Sequence, residues 1–135
     1  MKLLETVNVN TQNVASQATI NLGTVKHRVC YGAFNFNNSD TITLLQPGWY
    51  FISVKVDATS TVTAQNVSLA LFGNGTIVPE TETNTVITTL DTQANLSFTK
   101  IAKVCIDQPI ALTLVNTSAE AVIYDDVIVD ILKVN

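Results

Sequence analysis

Apolar residues in this chain recur at every second position in short runs, the spacing of half-buried β-strands rather than of helices. The clearest run is Gly48-Trp49-Tyr50-Phe51-Ile52-Ser53-Val54-Lys55-Val56, entered from a Gln46-Pro47-Gly48 turn. Side chains alternate along a strand, so Tyr50, Ile52, Val54 and Val56 share one face. Trp49 and Phe51 point the other way, together with Ser53, Lys55 and Asp57. A strand with one wet face carries polar residues there throughout, so the aromatic end of this one must be covered on both sides.

The same pattern predicts strands along most of the chain. Residues 1–17 alternate only weakly, at Val7 and Val9, and read as an arm, an edge strand or a docking peptide. Ile20 and Leu22 alternate before Gly23, and Val25 to Phe36 reads as one long strand bent near Gly32. A turn cluster at Asn37-Asn38-Ser39-Asp40 precedes a short strand over Thr41–Leu45; the Gly48 strand then runs to about Thr59. Asn66–Phe72 reaches a hairpin turn at Gly73-Asn74-Gly75, and Thr76–Val78 returns until Pro79 stops it. After the polar Glu80–Asn84 loop come Thr85–Leu90, Ala94–Ile106, Ile110–Val115 and, beyond an Asn116–Glu120 turn, Val122–Val134. About eight to ten strands, spaced roughly 8–14 residues apart with no helix between them, predict an antiparallel sandwich or barrel. Without a fixed repeat or a linker, the chain reads as an arm (residues 1–17) and one domain (residues 18–135).

Composition sharpens this picture. The 135 residues are 47% hydrophobic but only 13% charged, so neutral side chains must build the polar surface. The 19 Thr and 13 Asn supply it, Thr favouring strands and Asn turns. A net charge of −4 with seven Lys and Arg argues against a nucleic-acid groove and against anionic membranes. The start, Met1-Lys2-Leu3-Leu4-Glu5-Thr6, has no apolar signal core, and no run reaches membrane-spanning length. The expectation is a soluble chain made in a reducing cytoplasm. Cys30 and Cys105 both fall in apolar strand patterns and read as two buried free thiols, with a single inter-strand disulfide as the alternative.

Catalytic chemistry is hard to find. His27 stands alone between Lys26 and Arg28, with no zinc-ligand spacing and no Gly-x-Ser-x-Gly elbow to make it part of a triad. Asp125-Asp126 with Asp130 is the densest carboxylate group, but its spacing matches no calcium loop; it reads as a solvated bulge. Glu80 and Glu82 read as a solvated loop. The expectation is a protein that is not an enzyme and uses no cofactor and no metal.

The aromatics carry more information. Trp49, Phe51, Tyr31, Phe34, Phe36 and Phe72 are too many for one thin sandwich face, and left exposed they would form a patch that calls for a partner. Val25–Phe36 and the last strand show apolar residues on both sides as well. We read Tyr31, Phe34, Trp49 and Phe51 as a homo-oligomer interface; burial under loops and the arm, or a ligand groove, are the alternatives.

The order of these elements resembles the C1q/TNF-like jelly roll, a compact trimer-forming β-sandwich. Gly48-Trp49-Tyr50-Phe51-Ile52 is similar to that family's Pro-Gly-x-Tyr-x-Phe/Ile strand and follows, as there, a short Thr41-Ile42-Thr43-Leu44 strand. Val67 to Pro79 resembles its strand, Asn-Gly turn, strand element. Val104-Cys105, Leu112-Thr113-Leu114-Val115-Asn116-Thr117 and Val129-Asp130-Ile131-Leu132-Lys133-Val134 resemble C1q-like domains of phage and gut-bacterial surface proteins. The resemblance covers roughly residues 20–135 and lacks both a Gly-X-Y and a heptad stalk. It implies a homotrimer with one sheet of each subunit facing the three-fold axis. With the composition, it leads us to expect a bacteriophage virion protein, a capsid decoration or head-fibre subunit assembled in the host bacterial cytoplasm. Residues 1–17 would dock it to other virion proteins. The alternative is a receptor- or host-glycan-binding module, with Asn74, Glu82 and Ser118 in loops at the trimer apex.

Overall fold

The computed structural model describes residues 1–29 and 31–134, Tyr31 by its backbone alone. The described strands are β1 (Lys2–Asn8), β2 (Gln12–Val14), β3 (Thr24–Val29), β4 (Phe34–Phe36), β5 (Ile42–Leu44) and β6 (Gly48–Thr59). They continue with β7 (Gln65–Gly73), β8 (Thr76–Ile77), β9 (Thr83–Ile87), β10 (Gln93–Val104), β11 (Ile110–Asn116) and β12 (Val122–Lys133). One sheet runs β10-β6-β12-β1-β3, with β2 also paired to β12; the other runs β4-β5-β11-β7-β8, with β9 also on β7. All pairings are antiparallel, and the sequence's expectation of an all-β sandwich is met.

The core follows from the alternation. Tyr50, Ile52, Val54, Val56 and Ala58 of β6 are fully buried, joined by Leu4, Val129, Ile131 and Leu96 from the same sheet. Leu44, Val67, Leu69, Leu112, Leu114 and Phe34 fill it from the other sheet. Each such aliphatic or aromatic side chain contributes roughly 1.5–3 kcal/mol by leaving water. The Tyr50 hydroxyl stays satisfied by donating to the Gln46 carbonyl at 2.7 Å, and its ring meets Phe34 edge-on at 6.0 Å. Where Pro79 interrupts the edge of β7, the buried Thr81 hydroxyl replaces the ladder, accepting from Leu71 N at 3.1 Å and donating to Val78 O at 2.7 Å.

Three expectations are corrected. Val25–Phe36 is not one bent strand: β3 belongs to the first sheet and β4 to the second, joined by a 3-10 turn at Tyr31–Ala33. Its apolar residues on both sides therefore reflect a change of sheet, not a strand covered twice. Arg28 bridges this corner by donating to Phe34 O at 2.6 Å.

Nor does a break separate an arm at residues 1–17 from a domain at 18–135. β1 lies between β12 and β3, and residues 17–20 pair with β11 through Gln17 N to Asn116 O and Ile20 N to Leu114 O. The alternation in β1 is weak because Thr6 and Asn8 occupy inward positions beside Leu4, all three buried. Asn8 is satisfied there by donating to Asn21 O at 3.0 Å. A segment held this way is part of the sandwich and not an arm beside it.

Cys105 is a free, exposed thiol rather than a buried one, because β10 ends at Val104 and the chain turns out into solvent. Cys30, the other half of that expectation, lies outside the described residues.

Candidate functional site

With the inner faces filled by the core, the outer face of the first sheet carries what the alternation leaves over. Register places Val29 opposite Leu3, Leu3 opposite Leu132, Leu132 opposite Phe51 and Phe51 opposite Ile101. These five residues form one apolar row straight across β3, β1, β12, β6 and β10. Phe51 is 38% exposed, Val29 43% and Ile101 60%. Trp49 stands one outward position along β6, 43% exposed, opposite Lys103, whose ammonium lies 5.5 Å from the indole centroid. Val134, exposed, donates its N–H to Trp49 O at 2.9 Å and extends the patch.

Trp49 and Phe51 thus point outward as the sequence predicts. Phe34 does not: it is 1% exposed, because β4 faces Phe34 and Phe36 inward, so its assignment to an interface is withdrawn. The Tyr31 side chain lies outside the described residues. Leu3, Leu132, Val29 and Ile101 are the members sequence reasoning missed. Their signal was present in the two-sided apolarity of β12 and in Ile101, which stands on the opposite side from Leu96 and Phe98.

The next row on the same face is polar. His27, Glu5, Asp130, Ser53 and Thr99 succeed one another across β3, β1, β12, β6 and β10. Glu5 and Asp130 are direct cross-strand partners, a position where like charges repel. Burial, then the hydrogen bond to Glu5 and that neighbour's charge, pushes the Asp130 carboxyl up to about 6. His27 Nε2 lies 3.8 Å from Glu5 Oε1, with its side chain 63% exposed against 22% for Glu5. Further along, β12 carries a bulge between Asp125 and Ile128. There Asp126 takes a left-handed φ of 49° and is exposed, and the charge of Asp125 beside it raises its carboxyl above the usual range. No group of three or more His, Cys, Asp or Glu side chains is arranged to hold a metal ion among the described residues.

A second feature is an open cleft of about 430 Å³ between the link following β6 and the β11–β12 turn, lined by Thr63, Asn66, Glu82, Thr117, Ser118 and Glu120 among others. It brings together Glu82 and Ser118 of the three predicted loop residues. Ser118, however, is 2% exposed and fully engaged: its hydroxyl accepts from Ser68 N at 2.8 Å and donates to Ser68 O at 3.2 Å. Asn74 sits elsewhere. Leu69 of β7 is level with Asn116 and Thr83, whereas Gly73 is level with Leu112. The Asn74 turn therefore lies roughly 13 Å further along β7. Its amide is spent on the backbone, accepting from Ala111 N at 2.9 Å. The three residues do not form one apical site.

A densely bonded polar side chain among the described residues was not singled out by the sequence reading as one. Asn116, fully buried, donates to Val14 O at 3.0 Å and Glu120 O at 3.2 Å. It also accepts from Ser118 N at 2.9 Å and lies 3.0 Å from the Tyr124 hydroxyl. That phenol is buried, and its pKa is raised by the burial.

No protein-family model matches the sequence, and no curated protein matches it. Solved structures do match in shape. The globular domain of zebrafish complement 1qA aligns over 100% of this chain and 98% of its own, at a TM-score of 0.69 and 5% identity. Murine APRIL aligns over 98% of each chain at a TM-score of 0.68 and 13% identity. The Eiger TNF of S. frugiperda aligns over 99% of this chain and 91% of its own, at 0.64 and 9%. Two antiparallel sheets in this order, superposable over almost their whole length on such domains, give the chain the C1q/TNF jelly-roll fold.

Proposed function

We propose that the chain is a non-catalytic structural subunit that assembles as a homotrimer through the outer face of the β10-β6-β12-β1-β3 sheet. The observation that carries this is the apolar row Val29, Leu3, Leu132, Phe51 and Ile101 with Trp49 beside it. An isolated subunit leaves that row in water; closed rotational symmetry buries it in every copy without creating a free sticky surface. The jelly-roll resemblance supports three copies rather than two.

Sedimentation equilibrium of the full chain tests the reading, with an expected mass three times the 14.6 kDa of one chain. A monomer or a dimer at micromolar concentration in mildly acidic solution overturns it. Trp49→Asp should give monomers or aggregates, and an unchanged trimer would place the indole outside the contact.

The finer reading is a decoration or head-fibre subunit of a bacteriophage virion. Its support is the Thr- and Asn-rich, weakly charged composition and the resemblance of residues 99–134 to phage C1q-like domains. Attachment through residues 1–17 is not part of it, since those residues are built into the sandwich. Co-sedimentation of the chain with purified particles supports the virion role; its absence from them overturns it. The glycan-binding alternative is favoured only by the polar cleft at Glu82 and Glu120, and a glycan array without hits would remove it.

A further inference from the structure

We infer that the Glu5–Asp130 pair is a proton switch on assembly: the pair must hold one proton for the sheet face to be covered, so subunits join in mildly acidic solution and separate as pH rises. This rests on the reading of that face as the assembly surface. The pair stands one outward position from the apolar row on both strands, with Leu3 and Val7 flanking Glu5 and Leu132 and Ile128 flanking Asp130. Anything that covers the row therefore covers the two carboxyls.

Two carboxylates opposite each other can be tolerated while water screens them. Covered, they face desolvation and mutual repulsion together unless a proton bridges them. The proton comes from solvent, one per subunit, and sits between the Asp130 and Glu5 carboxyl oxygens. Among the described residues of the flanking strands, only His27 comes within ion-pair distance of the pair. β3 contributes His27, mostly exposed and 3.8 Å from Glu5 Oε1. β6 contributes the uncharged Ser53 in the same row, with Lys55 opposite Ile128 one outward position away. β10 contributes Thr99.

In the single subunit, burial and Glu5 already raise Asp130 to about 6. Covering the face raises it further, so assembly takes up protons. The sign follows from linkage: the raised pKa favours the assembled state below the pair's titration and disfavours it above. Three protons per trimer would weaken the association constant by up to about a thousandfold per pH unit on the alkaline side. The midpoint concentration for dissociation, which varies as the square root of that constant, would move about thirtyfold.

The test is analytical ultracentrifugation or mass photometry of the full chain between pH 5.5 and 8.5, with Asp130→Asn, Glu5→Gln and His27→Gln alongside. The wild type should dissociate progressively as pH rises. Asp130→Asn and Glu5→Gln, either of which removes one carboxylate, should stay trimeric at pH 8.5 with a flat profile. His27→Gln should keep the wild-type slope; loss of the slope there assigns the response to the imidazole and overturns the inference. If the wild-type trimer survives all accessible dilutions, the urea midpoint for its dissociation is read against pH instead. A trimer with no pH dependence, or variants that keep the wild-type slope, overturns the switch and leaves the trimer standing. A monomer at every pH overturns the trimer reading and the switch with it.

Discussion

Phe51→Thr is the substitution that separates assembly from folding most cleanly. The phenyl ring points away from the core of its own subunit and is 38% exposed there, in the apolar row between Leu132 and Ile101. A phenylalanine offers about 200 Å² in all, so roughly 75 Å² remains to be covered, worth about 2 kcal/mol per subunit at 25 cal/mol per Å². Three copies amount to about 6 kcal/mol, which corresponds to about four orders of magnitude in the association constant and about a hundredfold in the midpoint concentration. Threonine is β-branched and suits the strand, so the subunit itself loses only the cross-strand packing against Leu132 and Ile101, on the order of 1 kcal/mol. Sedimentation across a dilution series reads the first effect, and urea unfolding by circular dichroism reads the second. A folded variant whose midpoint concentration moves less than about threefold would show that the ring lies outside any contact, and the area argument for this face would fail.

Three further outcomes are expected. Asn116→Ala should cost about 3 kcal/mol or more in urea unfolding, because it strands the carbonyls of Val14 and Glu120 and the N–H of Ser118 in a buried site; a loss under 1 kcal/mol would mean water replaces the amide. Gly23→Ala should lower stability by at least about 2 kcal/mol, since φ there is +83° and an added Cβ would stand 2.2 Å from Val7 O. Deleting residues 1–8 should yield insoluble or unfolded chain rather than a trimmed domain, because it unpairs β12 and β3 together; a soluble, cooperatively folding product would return those residues to the status of an arm.

How far the fold was legible can be seen in β6 and β1. In β6 the inward positions are all apolar or aromatic, so period-two alternation located it to within a residue, as it did β7 and β12, while β10 ends two residues before the predicted Ile106. In β1 the inward positions after Leu4 are Thr6 and Asn8, whose burial depends on partners distant in sequence, and no local pattern reveals that. The corner between β3 and β4 was hidden for a related reason: continuous apolar residues look the same whether a strand is covered twice or changes sheets. For the site, Trp49 and Phe51 were readable as outward because Tyr50 and Ile52 had to be inward. Phe34 was misplaced because it was counted among aromatics in excess of one face, whereas β4 belongs to the second sheet and turns it inward. Leu132 and Ile101 became neighbours of Phe51, and Leu3 joined the same row, only through register, which the sequence does not state. The Asn116 bonds lay inside the family-like Leu-x-Leu-Val-Asn-Thr stretch, but their role needs Val14 and Tyr124 in place to be seen.

Lys2 and Lys133 are partners across β1 and β12, which brings the first and the last strand of the sandwich side by side. The middle of a sheet can therefore be laid down only after residue 133 has been synthesised. Until β12 emerges, a nascent chain holds the β1–β3 and β6–β10 pairs with the gap between them unfilled. Such distant closure makes for slow folding and a long exposure of unpaired edges. In this fold the larger share of one sheet is thus sealed by a single late step, the seating of β12 between β1 and β6.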